Sequence, residues 1–255
     1  MQLRKRGGSH EASAQALFAG LVPLVRDLRR RRLLDGFFFM RKAPGLRLRF
    51  AFPDRETRAG EGEIVDHLNH VGAVSRWFPS CYEPETFQFG GPAAMEVVHA
   101  HASADALAWW QWERRASRNI ASTVLSLCVL NDLFCRVLDD DAGEVWDVWC
   151  HLAAAHGAGP ADDGAALPRV GIAHVAARAS AAEQVVLRTY QRANRSFASA
   201  FRRLHARGQL LDARRLVLPH VALFHWNRFG FALAERQRMY GAMTRAWSSR
   251  RHSAA

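Results

Sequence analysis

From Phe37 to Phe52 the chain reads FFFMRKAPGLRLRFAF. Two apolar runs flank Ala43-Pro44-Gly45, where proline fixes φ and glycine accepts the positive φ of a reversal, so the stretch predicts a β-hairpin. The second run alternates strictly. Leu46, Leu48, Phe50 and Phe52 face one side, and Arg47 and Arg49 face the other. At two residues' rise the two guanidinium groups lie roughly 6.5–7 Å apart, close enough to hold one small anion. On the pattern alone, a solvated outer face is the plain alternative.

Elsewhere the apolar positions recur with helical spacing. Glu11 to Leu34 carries Leu17, Leu21, Leu24 and Leu28 on one stripe, with Pro23 expected to kink or divide the helix. Asp35-Gly36 ends it, Pro53 to Gly62 is a charged loop, and Glu63 to Val74 is a short helix facing inward through Ile64, Leu68 and Val71. Ser75 to Gly91, SRWFPSCYEPETFQFGG, predicts extended chain closing in a tight turn at Gly90-Gly91, with Glu85 to Phe89 as its strand. Pro92 suits the first turn of the helix that follows. Ala93 to Leu138 predicts two helices that break near Ser103, with Trp109, Trp110 and Trp112 as core filling. Asp139 to Asp141 predicts a cap with solvated charges before a helix over Glu144–Ala155, in preference to a metal site. Further helices are expected from Ala181 to Ala206, from Leu210 to Phe229, and onward to Trp247, with a frayed SSRRHSAA end.

The fold class predicted is therefore α+β: a small, mainly antiparallel β-sheet with a large helical layer. A length of 255 residues allows one substantial core, and residues 1–255 are expected to form a single domain. The Gly/Ala/Pro/Asp-rich stretch 156–169 reads as a flexible surface loop within it.

Composition narrows the class. Apolar residues make up 49% and charged residues 23% of the chain, as in globular proteins. There is no 18-residue apolar run and no signal-like h-region after the basic N-terminus, so a cytoplasmic protein without a membrane segment is expected. Cys81, Cys128, Cys135 and Cys150 lack metal or disulfide spacing and read as reduced. The formal charge of +11 includes the run Arg29–Arg32 and points to an anionic partner. No nucleic-acid-binding motif accompanies it, and direct nucleic-acid binding is not expected.

One more stretch carries candidate chemistry. In Val221 to Phe231, VALFHWNRFGF, His225 and Arg228 lie three apart on one helical face, Asn227 is adjacent, and Gly230 allows close approach by another element. Burying an arginine is costly without an anion, so this pair is either a site or a structural Arg–carboxylate contact.

Three motifs in this order, PGLRLRF, YEPETFQFGG and HWNR, resemble the C-terminal domain of lantibiotic dehydratases, a domain also found as a separate protein in thiopeptide biosynthesis. The resemblance spans Phe37 to Phe231. It implies a tailoring enzyme that eliminates glutamate from glutamylated Ser or Thr of a ribosomal precursor peptide, leaving dehydroalanine or dehydrobutyrine. The implied partners are that peptide and a separate tRNA-dependent glutamylating protein; a homodimer is allowed, and no cofactor or metal is required. Elimination needs a base, a stabiliser of the developing enolate and a site for the departing carboxylate. Under the resemblance the catalytic residues are His225 for acid/base work and Arg49 and Arg47 as a carboxylate clamp, with Glu85, Gln88, Arg228, Tyr82 and Arg76 as substrate-binding groups. Histidine is the residue type that titrates near neutrality, and an arginine pair suits a carboxylate.

Two departures stand out. The hairpin lacks the histidine that usually precedes the family's Leu/Ile-Arg-Leu-Arg, and Gln88 stands where the family has a catalytic arginine. Arg76 and Arg228 are the candidates to compensate. Relatives in thiopeptide pathways that have lost parts of the elimination set instead join two dehydroalanines in a formal [4+2] cyclisation with leader loss. A catalytically inactive leader-peptide-binding partner is the third reading. The sequence favours elimination, with the catalytic groups expected to converge where the Arg47/Arg49 sheet face meets the His225 helix.

Overall fold

The hairpin is present, at the edge of a four-stranded antiparallel sheet. A computed structural model describes residues 2–5, 10–43, 45–53, 59–72, 74–157 and 171–251. The turn residue Pro44 and most of the expected surface loop, 158–169, lie outside them. The described chain forms two compact units, Met1–Pro84 with Ala102–Arg115, and Glu85–His101 with Ala116–Ala255.

The first unit begins with β1 (Gln2–Lys5) and α1 (His10–Arg30), followed by the hairpin β2 (Gly36–Lys42) and β3 (Gly45–Ala51), then α2 (Ala59–His70) and β4 (Val74–Phe78). The sheet order is β2-β3-β1-β4. Phe37, Phe39, Leu46 and Leu48 are buried to 2% exposure or less, as the alternation requires. They form a core with Phe18 of α1 and Trp109, with ring centroids 4.6 Å apart for Phe18–Phe39 and 4.8 Å for Phe39–Trp109.

Strand β1 has no apolar pattern to announce it. It exists because its backbone joins β3 on one side and β4 on the other, supplying the hydrogen bonds both edges otherwise lack. Helix α1 is continuous through Pro23. The carbonyl that Pro23 leaves without a helical donor belongs to Ala19, and both residues are exposed, so water can satisfy it.

Helix α3 (Pro92–Glu113) starts at its proline as expected but runs straight past Ser103. Ser103 is buried, and its Oγ accepts a hydrogen bond from the Phe37 backbone N–H, 3.1 Å away. The break falls instead in the polar stretch after Arg114, before α4 (Ser122–Val137). Residues of α3 up to His101 belong to the second unit.

The rest of the second unit is helical: α4, α5 (Ala142–His156), α6 (Ile172–Ala176), α7 (Ala181–Ala206), α8 (Arg214–Phe229) and α9 (Leu233–Arg251), the last continuing into the C-terminal stretch expected to fray. Its core gathers Phe89, Leu130, Phe134, Val148, Trp149, Phe197, Phe201, Trp226, Tyr240 and Trp247. Asp141 caps α5 by accepting from the Glu144 N–H at 2.9 Å, and Asp139 pairs with Arg202 and Arg214, so the acidic run is structural. Glu183 opens α7 from a fully buried position. Burial alone raises its pKa, but the N–H groups of Ser180, Ile120 and Asn119, 2.7–3.1 Å from its carboxylate, reverse the sign and hold it below the usual range.

The expected strand Glu85–Phe89 is a turn. Only Phe89 buries; Phe87 is 81% exposed. Gly90 and Gly91 close the turn at φ 84° and 104°, their N–H groups donating to Phe87 O at 3.1 Å and Thr86 O at 2.9 Å.

Candidate active-site elements

The outward face of the first unit's sheet is built by register. Phe38 pairs with Arg49 and Met40 with Arg47 across β2 and β3, and directly paired residues project to the same side. Through β1, Gln2 pairs with both Arg47 and Phe78, which places Phe78, and therefore Arg76 two residues earlier, on that same side. Arg47, Arg49 and Arg76 thus share one sheet face.

Tyr82, just beyond β4, covers part of it. The Arg49 guanidinium carbon lies 4.9 Å from the Tyr82 ring centroid, and that ring meets Phe38 edge-on at 6.0 Å. Arg49 also donates to the Leu48 carbonyl at 3.1 Å. Burial, and then the neighbouring Arg47 charge, hold the Arg49 pKa below the usual arginine value, with Tyr82 acting in the opposite sense. A guanidinium still carries its charge under these conditions, so a half-buried cation beside a second cation favours an arriving carboxylate. Arg76 is exposed.

The other named residues lie in the second unit. Glu85 and Gln88 are exposed on the Gly-Gly turn. Glu85 is close enough to His220 to raise that histidine's pKa, although burial is the larger effect and leaves it lowered. His225 and Arg228 project from α8 at 0% and 1% exposure. The Nε2 of His225 shares a 3.0 Å hydrogen bond with Ser126 Oγ on α4. The indole N–H of Trp226 donates to the same oxygen at 2.9 Å. Tyr190 and Phe229 enclose the imidazole, with centroids 5.9 and 4.7 Å away. Gly230 has a role other than close approach by another element: it is the left-handed C-cap of α8, at φ 75°.

Ser126 and Phe38 are the residues that sequence reasoning missed. Ser126 had a signal, as a lone hydroxyl within the buried run Leu125–Leu130. Phe38 had one too, at the outward position of β2 beside the arginine register. Among the described residues no group of three metal-ligating side chains occurs, and no helix is long and apolar enough to cross a membrane.

No curated protein matches the chain significantly. Among solved structures it is similar to the tRNA-dependent lantibiotic dehydratase MibB from Microbispora sp. 107891, with a TM-score of 0.68 at 17% identity. That match covers 99% of this chain but spans only 28% of MibB. A second similar structure is TsrL, with a TM-score of 0.61 at 14% identity over 94% of this chain and 92% of that one. Identities this low establish a shared fold. The family model described as lantibiotic biosynthesis dehydratase C-term matches residues 8–247. The chain belongs to the lantibiotic dehydratase C-terminal family.

Proposed function

We propose that this protein eliminates glutamate from glutamylated Ser or Thr side chains of a precursor peptide, the ester having been made by a separate tRNA-dependent protein. The observation that carries the proposal is the Arg47–Arg49 pair on one sheet face, with Arg49 half-buried under Tyr82. In the reaction a base takes the Cα proton, the electron pair forms the Cα=Cβ bond, and the Cβ–O bond breaks to release a carboxylate. That carboxylate gains negative charge as the bond breaks, and an arginine pair stabilises the transition state more than the neutral ester. Arg76 extends the same cationic face. Tyr82 fixes Arg49 and lines the approach, while Glu85 and Gln88 offer an acceptor and a donor to the peptide from their exposed turn.

His225 is the proposed base, assisted by Arg228. Its imidazole acts on substrate from a conformation in which the enclosing side chains uncover it, because the resting ring has no exposed surface and bonds Ser126. Incubation of the purified protein with a synthetic glutamylated precursor, read by mass spectrometry, tests the assignment. The expected result is loss of one glutamate per modified residue, abolished by His225→Ala.

Gln88 favours a second reading, cyclisation of two dehydroalanines with leader loss, since an uncharged amide stabilises a leaving carboxylate less than arginine does. Cleavage of a dehydroalanine-containing peptide from its leader, without glutamate loss, would select that reading. Inertness to both substrates would leave a leader-peptide-binding partner.

A further inference from the structure

Helix α7 presents a row of arginines that neither the sheet face nor His225 explains. Arg188, Arg192, Arg195 and Arg202 recur at intervals of four, three and seven, with Ser199 filling the gap, so all five positions fall on one side of the helix. All four arginines are exposed, and the buried residues Val186, Tyr190, Asn194, Phe197 and Phe201 occupy the opposite side. From Arg188 to Arg202 the row extends about 21 Å at the helical rise. Arg202 is engaged by Asp139 at 3.0 Å. Arg188, Arg192 and Arg195 have no ion pair to a described residue, and α7 carries no acidic residue after Glu183. Like charges at i, i+4 and i, i+3 repel, so the row lowers the helix's own stability. Its sequence spacing therefore suits a partner better than it suits the fold.

The spacing also selects the partner. Cations that succeed one another every three to four residues along a straight helix match carboxylates at the same spacing on a second helix. Single-stranded nucleic acid instead uses aromatic side chains interleaved with basic ones. The residues flanking this row, Val185, Thr189 and Ser196, include no aromatic. We propose that the exposed face of α7 docks an acidic helical peptide segment whose carboxylates recur at i, i+3 or i+4, and i+7. This surface is independent of the elimination chemistry and stands whether or not that reading holds.

The test is fluorescence anisotropy of a labelled alanine-based helical peptide bearing glutamates at positions 1, 4, 8, 11 and 15 (design positions chosen to repeat the spacing of about 3.6 residues per turn). An isomer with its glutamates spread around the helix and a single-stranded RNA of equal charge serve as competitors. Patterned peptide should bind at least tenfold more tightly than the isomer. Binding should fall at least tenfold in the Arg188→Gln/Arg192→Gln/Arg195→Gln variant and further in the matching Glu variant. Reversal of three exposed arginines elsewhere, Arg29→Glu/Arg238→Glu/Arg245→Glu, should change it less than threefold. Equal losses in the two charge-reversed variants, equal binding of both peptides, or preferential binding of RNA would overturn the proposal.

Discussion

Replacing Ser126 with alanine deletes one oxygen that serves two buried partners. Trp226 Nε1–H donates to it at 2.9 Å and His225 Nε2 bonds it at 3.0 Å, and all three residues are 0% exposed. Each group left without its partner costs about 1–3 kcal/mol, so the pair costs about 2–6 kcal/mol. Alanine's higher helix propensity within α4 returns about 0.5 kcal/mol, leaving a net loss of about 1.5–5.5 kcal/mol. The assay is urea denaturation followed by circular dichroism, with the midpoint falling at an unchanged slope. Trp226→Phe supplies the control by removing the indole donor. In that background Ser126→Ala should cost about 1–3 kcal/mol less, because one of the two orphaned groups is gone. A loss below about 1 kcal/mol, or the same loss in both backgrounds, would show that the Ser126 hydroxyl does not serve both groups.

Two glycines of one helix should respond oppositely. A Cβ on Gly60 would lie 2.9 Å from the Leu33 carbonyl oxygen, so Gly60→Ala should lower stability by about 1–3 kcal/mol. Gly62 meets nothing within 4 Å, and Gly62→Ala should raise stability by about 0.5–1 kcal/mol in the same denaturation experiment. Stability should also fall under mildly acidic conditions. Burial holds the pKa of His67, His99, His156 and His220 below the ordinary histidine value. Below about pH 6.5 the unfolded chain therefore takes up protons that the folded chain refuses, and stability drops as pH falls toward the folded values. The urea midpoint measured at about pH 7.5 and pH 5.5 checks this, with an equal or higher midpoint in acid being the contrary result.

The parts of the fold that were legible are those whose pattern is local. The alternation Leu46-Arg47-Leu48-Arg49 dictates a two-faced strand, and the turn-forming composition between the two apolar runs predicts a reversal, so the hairpin and its basic face could be read directly. Pro92 and the apolar stripe of α7 likewise set their helices. Strand β1 was not legible, since QLRK is a strand only by virtue of its two neighbours. The break after α3 was misplaced because Ser103 looks like an interruption until its hydroxyl is seen to accept the Phe37 N–H. Glu85–Phe89 carries a strand-like alternation but buries only its last aromatic, and a turn satisfies that with fewer residues. At the candidate site, the tyrosine over Arg49 was visible as a residue type but not as a ring stacked on that arginine. The Ser126–His225 contact joins positions 99 apart in the chain and leaves no local trace.

In the proposed function the arginine face receives the carboxylate released by elimination. The most direct measurement is single-turnover mass spectrometry on a glutamylated precursor, comparing wild-type protein with Arg49→Ala and Arg49→Lys. Removing a donor of this kind is worth about 10²–10³ in rate. The account predicts a loss of that size for Arg49→Ala, with only partial recovery by lysine, which keeps the charge but not the fork. Glutamate release by Arg49→Ala at the wild-type rate would contradict it.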